Sequence, residues 1–267
     1  MIVLLRGGGD LASGVALRLF RAGIQVVITE LPQPLAVRRL VSFAEAVYSG
    51  EITVEGVTAR AAKDFEHAHR ILNGGLIPVL IDPEAESRYD FDPMVLVDAR
   101  MTKRAPDLGL DAAALVVGLG PGFIAGKNCH AAVETNRGHR LGRVIWQGAP
   151  QTDTGTPDSV AKHRSERVLR APADGVLKAQ AEIRDHLEPG DLIADVRGEA
   201  IRAPFRGVLR GLLHSGLVVR SGLKVGDVDP RDDPSYCTLV SDKALAIGGG
   251  VLEAILSRPD LRPYLWD

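Results

Sequence analysis

Cysteine is scarce in this chain. Two thiols, Cys129 and Cys237, stand among 267 residues. Two cannot form a disulfide framework, so a reducing compartment, the cytoplasm, is expected. Aromatic residues make up only 4%, too few for a base-stacking platform. Lys and Arg number 32 against 34 Asp and Glu, so no basic field exists to hold a polyanion. Nucleic acid is thereby excluded as an expected partner. Apolar runs are short as well: Ala112 to Val117 falls far below the roughly 20 residues of a membrane helix. The apolar start, Met1 to Leu5, is cut off by Arg6 and a glycine run, unlike a secretory signal. No His-Glu-x-x-His pair and no Gly-x-Ser-x-Gly elbow occurs, so no familiar catalytic set declares itself.

What is present is ordinary globular chemistry, 45% hydrophobic and 25% charged. Ile2 to Leu5 reads as a buried strand and is followed by glycines. Val15, Ala16, Leu19 and Phe20 then fall at helical spacing, with Gly23 as a stop. Ile24 to Thr29 reads as the next strand, completing a βαβ unit. Further strands are expected at Leu76 to Ile81, Met94 to Val97, Ala114 to Val117, Ala131 to Glu134 and Arg143 to Trp146. Helices are expected near Pro34 to Val47 and Asp64 to Leu72. Alternation of this kind predicts an α/β fold with a mainly parallel, Rossmann-like sheet over residues 1–155.

A Pro-, Gly- and Thr-rich stretch, Gln147 to Lys162, reads as a connection. Beyond it lies an internal repeat. Ala171-Pro172-Ala173-Asp174-Gly175-Val176-Leu177 returns 32 residues later as Ala203-Pro204-Phe205-Arg206-Gly207-Val208-Leu209. The duplication predicts two interlocked all-β halves over residues 165–232. It resembles the half-motifs of biotinyl/lipoyl barrel-sandwich domains. The hairpin expected to present their modifiable lysine reads Val196-Arg197-Gly198-Glu199-Ala200, which argues against a swinging arm. Residues 233–267 form a C-terminal helical segment, with Ser241 or Asp242 as N-cap and Gly248-Gly249-Gly250 inside it.

Three clusters carry candidate chemistry. In the first, Gly7, Gly9 and Ala12 fit the G-x-G-x-x-G/A fingerprint, with Gly14 closing the turn. The helix N-terminus supplies N–H groups for phosphate, and Glu30, 21 residues after Gly9, is placed to accept from a ribose diol. Asp10 either caps the helix from Leu11 or meets a metal or hydroxyl. The second cluster is Asp98-Ala99-Arg100-Met101-Thr102-Lys103-Arg104, whose cations can hold phosphate or merely line a solvated loop. The third runs from Gly118 to His130. Gly120 and Gly122 offer an anion nest ending in Lys127. Cys129 is either a soft metal ligand or a small core residue.

Taken together, these segments resemble the YqeB family of accessory proteins in the selenium-dependent molybdenum hydroxylase system. The carrying stretches are Arg6 to Leu19, Thr29 to Leu31 and Pro34 to Arg39. They continue with Val97 to Arg100, Gly118 to His130, Val133 to His139, Val225 to Arg231 and Ala246 to Ala254. The resemblance implies a cytoplasmic maturation factor with a hydroxylase as client, binding molybdenum cofactor, a pterin dinucleotide, or its nucleotide form. The same turn admits two rivals: an NAD(P)-dependent oxidoreductase, and a non-enzymatic adaptor docking on a hydroxylase. No membrane partner is expected, and oligomerisation stays open.

Overall fold

In the computed structural model, residues 1–152 and 166–265 are described. The chain divides into two units. One comprises the described residues within Met1–Pro34, Ser42–Thr154 and Val240–Asp267, the other those within Leu35–Val41 and Gly155–Leu239. The boundaries expected at 155 and 165 lie outside the described residues, as does much of the connecting stretch.

The first unit is built on a nine-stranded mixed sheet. Its strands are β1 (Ile2–Arg6), β2 (Gln25–Glu30), β3 (Glu51–Val54), β4 (Val57–Ala62), β5 (Ile77–Ile81), β6 (Val95–Asp98), β7 (Leu115–Leu119), β8 (Ala131–Val133) and β9 (Val144–Ile145). They lie in the order β3-β4-β5-β2-β1-β6-β7-β8-β9. All neighbours are parallel except the two edge pairs, β3-β4 and β8-β9. Helices are α1 (Asp10–Arg21), α2 (Ala46–Ser49), α3 (Phe65–Asn73), α4 (Arg88–Phe91) and α5 (Asp242–Leu256). The central strands read as continuous apolar runs because both faces are covered; Val3, Leu4 and Leu5 of β1 are wholly buried.

Most strands fall where the sequence places them, within a residue or two. The hairpin β3-β4 was not among those expected, although Glu55 and Gly56 both adopt positive φ at its two-residue turn. The helix expected over Pro34 to Val47 does not form. Extended Ser42 separates 3-10 turns at Arg39–Val41 and Phe43–Glu45. The amides of Phe43 and Ala44 donate instead to Ser13 Oγ (2.8 Å) and Gly8 O (2.8 Å).

The expected C-terminal segment is not separate; α5 belongs to the first unit. Ser241 caps it, its Oγ accepting from Ala244 N at 3.1 Å. The helix runs unbroken through Gly248-Gly249-Gly250. The glycines resolve into two roles. A Cβ on Gly14 would lie 2.5 Å from Ala244 O, and one on Gly248 would lie 2.5 Å from Gly14 O. One on Gly250 would lie 2.1 Å from Gly142 O, whereas one on Gly249 meets nothing within 4 Å. Bare backbone at Gly14, Gly248 and Gly250 therefore lets α1, α5 and the 142 turn approach closely.

The second unit bears out the repeat. Its strands are β10 (Val168–Arg170), β11 (Gly175–Ala179), β12 (His186–Leu187), β13 (Leu192–Val196), β14 (Glu199–Arg202), β15 (Gly207–Leu212), β16 (Val218–Val219) and β17 (Lys224–Asp229). They form two four-stranded antiparallel sheets, β10-β17-β15-β12 and β14-β13-β11-β16. Exchanging each strand for its counterpart four places along converts one order into the other. Each sheet thus takes two strands from each copy, and neither copy closes a sheet alone. Segment Leu35–Val41 joins this unit through its arginines. Arg38 Nη2 donates to the carbonyls of Tyr236 and Leu239, both at 2.9 Å, and Arg39 Nε donates to Leu212 O at 3.0 Å.

Candidate anion-binding edge

Strand order reverses between β1 and β6, which lead away to opposite sides of the sheet. In open parallel sheets, the crevice outside the carboxyl ends of such strands is where ligands bind. Here the two ends meet in register, Arg6 opposite Asp98. Glu30 closes β2 beside them, Gly118 and Leu119 close β7, and Glu134 follows β8.

The glycine turn is only partly open. Gly7 takes φ +92°, the left-handed region that favours glycine, and its N–H donates to Thr29 O at 2.8 Å. Gly8 N–H donates to Glu30 Oε1 at 2.6 Å. A Cβ on Gly8 would lie 2.8 Å from Ala44 N, because the 43–45 turn sits on it. These two amides are committed internally. Gly9 differs: a Cβ there meets nothing within 4 Å, and no side chain caps α1. Asp10 is the first helical residue and Gly9 the N-cap, which corrects the expectation of an Asp10 cap. A carboxylate in this first turn still favours the helix dipole. The first-turn amides of Gly9, Leu11 and Ala12 have no acceptor within the helix. Gly14 serves the α5 packing described above.

Glu30 also accepts from Leu31 N at 2.8 Å. Burial raises its carboxyl above the ordinary value, against the lowering effect of the Gly8 and Leu31 amides. Asp98 and Arg100 are brought to the turn, Arg100 Cγ lying 3.6 Å from where a Gly7 Cβ would be. They form a closed set of ion pairs. Arg100 donates Nε and Nη2 to Asp98 (3.0 and 2.6 Å), and Nη2 also to Asp107 (2.5 Å). Arg6 donates Nη1 and Nη2 to Asp107 (2.8 and 3.0 Å) and Nη2 to Pro83 O (2.9 Å). Arg6 and Asp107 were missed from sequence. A buried arginine directly before a glycine turn is the signal, since such a charge demands carboxylate partners.

An Asp-x-Arg chelate recurs in the second unit. Asp229 accepts Arg231 N (3.1 Å), Nε (2.9 Å) and Nη2 (2.6 Å), just as Asp98 accepts the same three groups of Arg100. Both carboxylates end a strand.

The third cluster is a packed loop. A Cβ on Gly122 would lie 2.1 Å from Arg104 O, and one on Gly120 would lie 3.1 Å from Met101 Cα. Gly122 N–H donates to Thr102 O at 2.9 Å. These glycines admit the 101–104 backbone, which corrects the anion nest expected there. Lys127 stands exposed on a tight turn whose N–H returns to Ile124 O (3.0 Å). Cys129 is fully buried in the core with Phe123 and Val116, and burial pushes its thiol up to about 11. That corrects the metal assignment: the thiol is enclosed in the apolar core. Among the described residues no group of three or more His, Cys, Asp or Glu is placed to hold a metal ion. Cys129→Ala should cost stability through the lost volume, read as a lower urea midpoint.

His130 is structural too. Its Nδ1 accepts Val116 N–H at 2.9 Å, and burial, with Arg258 nearby, lowers its pKa. Protonation would turn this acceptor into a donor facing a donor. The folded state resists the proton that the unfolded chain takes up near pH 6.5. Stability should therefore be intact above that pH and fall as pH drops toward the lowered folded value. His130→Asn keeps an acceptor without titrating; urea midpoints between pH 7.5 and 5.5 should fall less for it than for the parent.

Among the described residues, no helix is long and apolar enough to cross a membrane. No family model matches the chain. Among solved structures, an aspartoacylase family protein from Mesorhizobium loti is 12% identical, with a TM-score of 0.27 over 85% of this chain and 83% of that one. The ectoine utilization protein EutE from Ruegeria pomeroyi, product bound, is 15% identical, with a TM-score of 0.26 over 85% and 84%. Overlap this loose carries no inference. The chain is 48% identical to the uncharacterized protein YqeB of Escherichia coli K12 over 255 residues, 96% of its own length. It spans 47% of that relative, about half. That similarity runs along nearly the whole of this chain and about half of the relative.

Proposed function

We propose that the chain is an accessory factor for maturation of a molybdenum hydroxylase, holding molybdenum cofactor or its nucleotide form by the phosphates. The nine-stranded sheet is then a Rossmann-like ligand domain, and the second unit a barrel-sandwich scaffold that lacks a carrier lysine. One observation carries the reading. The N-terminus of α1, uncapped by any side chain, begins at an open Gly9 where strand order reverses. Phosphates suit the amides of Gly9, Leu11 and Ala12, and Glu30 can accept from a sugar hydroxyl through lone pairs that Gly8 and Leu31 leave unused. Among the described residues, the metal end of such a cofactor finds no matching group, since Cys129 is enclosed in the core. The reading is therefore confined to phosphate and sugar.

Isolated cofactor should raise the melting temperature of the chain, because a ligand of the folded state alone stabilises it. Gly9→Asp is the control. It has room, sits at φ −67° and is a good N-cap, yet sets a carboxylate where the phosphate would lie. It should fold and lose the shift. A shift with NAD(P) and none with the cofactor would assign the oxidoreductase instead. Capture of a hydroxylase with no small-molecule shift would assign the adaptor.

A further inference from the structure

Two guanidinium groups converge on one carboxylate at the edge of β1 and β6. Arg6 reaches Asp107 with both Nη atoms, 2.8 Å to Oδ1 and 3.0 Å to Oδ2. Arg100 reaches the same oxygens, 2.5 Å to Oδ1 and 3.5 Å to Oδ2. The three partners differ sharply in setting. The side chain of Arg6 is 1% exposed and that of Asp98 2%, whereas Asp107 is 45% exposed. Arg6 and Asp98 are fixed in adjacent strands, and Asp107 reaches in from the long connection between β6 and β7. Arg6 Nε, also buried, has no acceptor among the described residues. The Asp107 carboxyl is held well below the usual carboxylate range, chiefly by its bond to Arg6 and then by that to Arg100.

We propose that Arg6 and Arg100 form the clamp of an oxyanion site, and that Asp107 is its internal occupant, displaced when a ligand phosphate arrives. Arg6, Arg100, Asp98 and Asp107 together are neutral. Once Asp107 swings out, Asp98 still binds Arg100 and lies 3.7 Å from Arg6. A single positive charge remains on two forks shaped for paired oxygens, which suits a phosphate. The clamp adjoins the glycine turn, since Arg6 precedes Gly7 and Arg100 lies over it. In this form the inference rests on the phosphate reading above and adds a gate: affinity is limited by the fraction of molecules in which Asp107 has left.

The test is titration calorimetry of the full chain with inorganic pyrophosphate at low salt. Asp107→Asn removes the competing charge and should tighten binding roughly tenfold, as expected when an occluded site becomes open. Asp107→Glu keeps the competitor and should stay near the parent. If Asp107→Asn fails to fold, Asp107→Ser serves with the same expectation, and Arg100→Gln in the parent should weaken binding. Unchanged or weaker binding by the Asp107 variants overturns the gate. Tightening by Asp107→Asn with no effect of Gly9→Asp upholds the gate and removes the turn from the site. Loss of binding in Gly9→Asp with no gain in Asp107→Asn does the reverse. Absence of binding in every variant overturns both.

Discussion

Replacing Asp227 with alanine should destabilise the chain by about 3–5 kcal/mol, the cost of breaking a buried charge set by removing one member. Its carboxylate is fully buried. Arg167 Nη1 donates to Oδ1 at 2.7 Å, and Arg210 donates to Oδ2 from Nε at 2.7 Å and also from Nη2. Arg210 has a second acceptor, Asp229 Oδ2 at 3.1 Å, which keeps part of its pairing after the substitution. Desolvation decides the magnitude, because each arginine is nearly buried and cannot recover water. Such a loss is a large share of the roughly 5–15 kcal/mol that holds a typical domain folded. Urea unfolding should show a much lower midpoint in the transition that reports the second unit. A midpoint within experimental error of the parent would remove Asp227 from any structural role.

The second large effect contrasts neighbouring glycines of α5. Alanine normally stabilises a helix interior by about 1 kcal/mol over glycine. At Gly249, where a Cβ meets nothing within 4 Å, that gain should appear in full. At Gly248 a Cβ would lie 2.5 Å from Gly14 O and 2.8 Å from Arg18 Cγ. Arg18 can move, but the backbone oxygen cannot without shifting a helix. Overpacking of that kind costs about 1–3 kcal/mol, so the sign should reverse. Thermal melts of the two single variants should bracket the parent, Gly249→Ala above and Gly248→Ala below. Two variants displaced in the same direction would contradict the close approach of α1 and α5.

These glycines show where sequence reading succeeded and where it ran out. The parallel strands were legible because buried strands are uninterrupted apolar runs, such as Ile2 to Leu5 and Leu115 to Val117. The duplication was legible because an offset of 32 residues maps β11 onto β15, β12 onto β16 and β13 onto β17. The run Gly248-Gly249-Gly250 posed a local choice between a broken helix and a close contact. A partner 234 residues away, Gly14, settled it. Tertiary hydrogen bonds from Phe43 and Ala44 likewise overrode a helical pattern at Pro34 to Val47.

The candidate site was legible in its location more than in its bonds. Gly7, Gly9, Glu30, Asp98 and Arg100 do gather at one edge of the sheet. Their hydrogen-bonding capacity is partly spent on one another, through Gly8 with Glu30 and Arg100 with Asp98, and spacing alone could not reveal that. Composition also says little about which glycines face a ligand. Gly120 and Gly122 face a neighbouring loop, while Gly9 faces open space. Cys129 was ambiguous for the same reason: a thiol's role follows from burial, and burial comes from the fold.

Phosphate at the first turn of α1 is the proposal on which the rest depends. Native mass spectrometry of freshly purified chain, beside its Gly9→Asp variant, tests this most directly. The parent should carry a phosphate-bearing small molecule, released on denaturation and detectable as phosphorus, and the variant should emerge at the mass of the chain alone. Bound ligand retained in full by the Gly9→Asp variant, or a parent that neither carries nor takes up any phosphate compound, would contradict it.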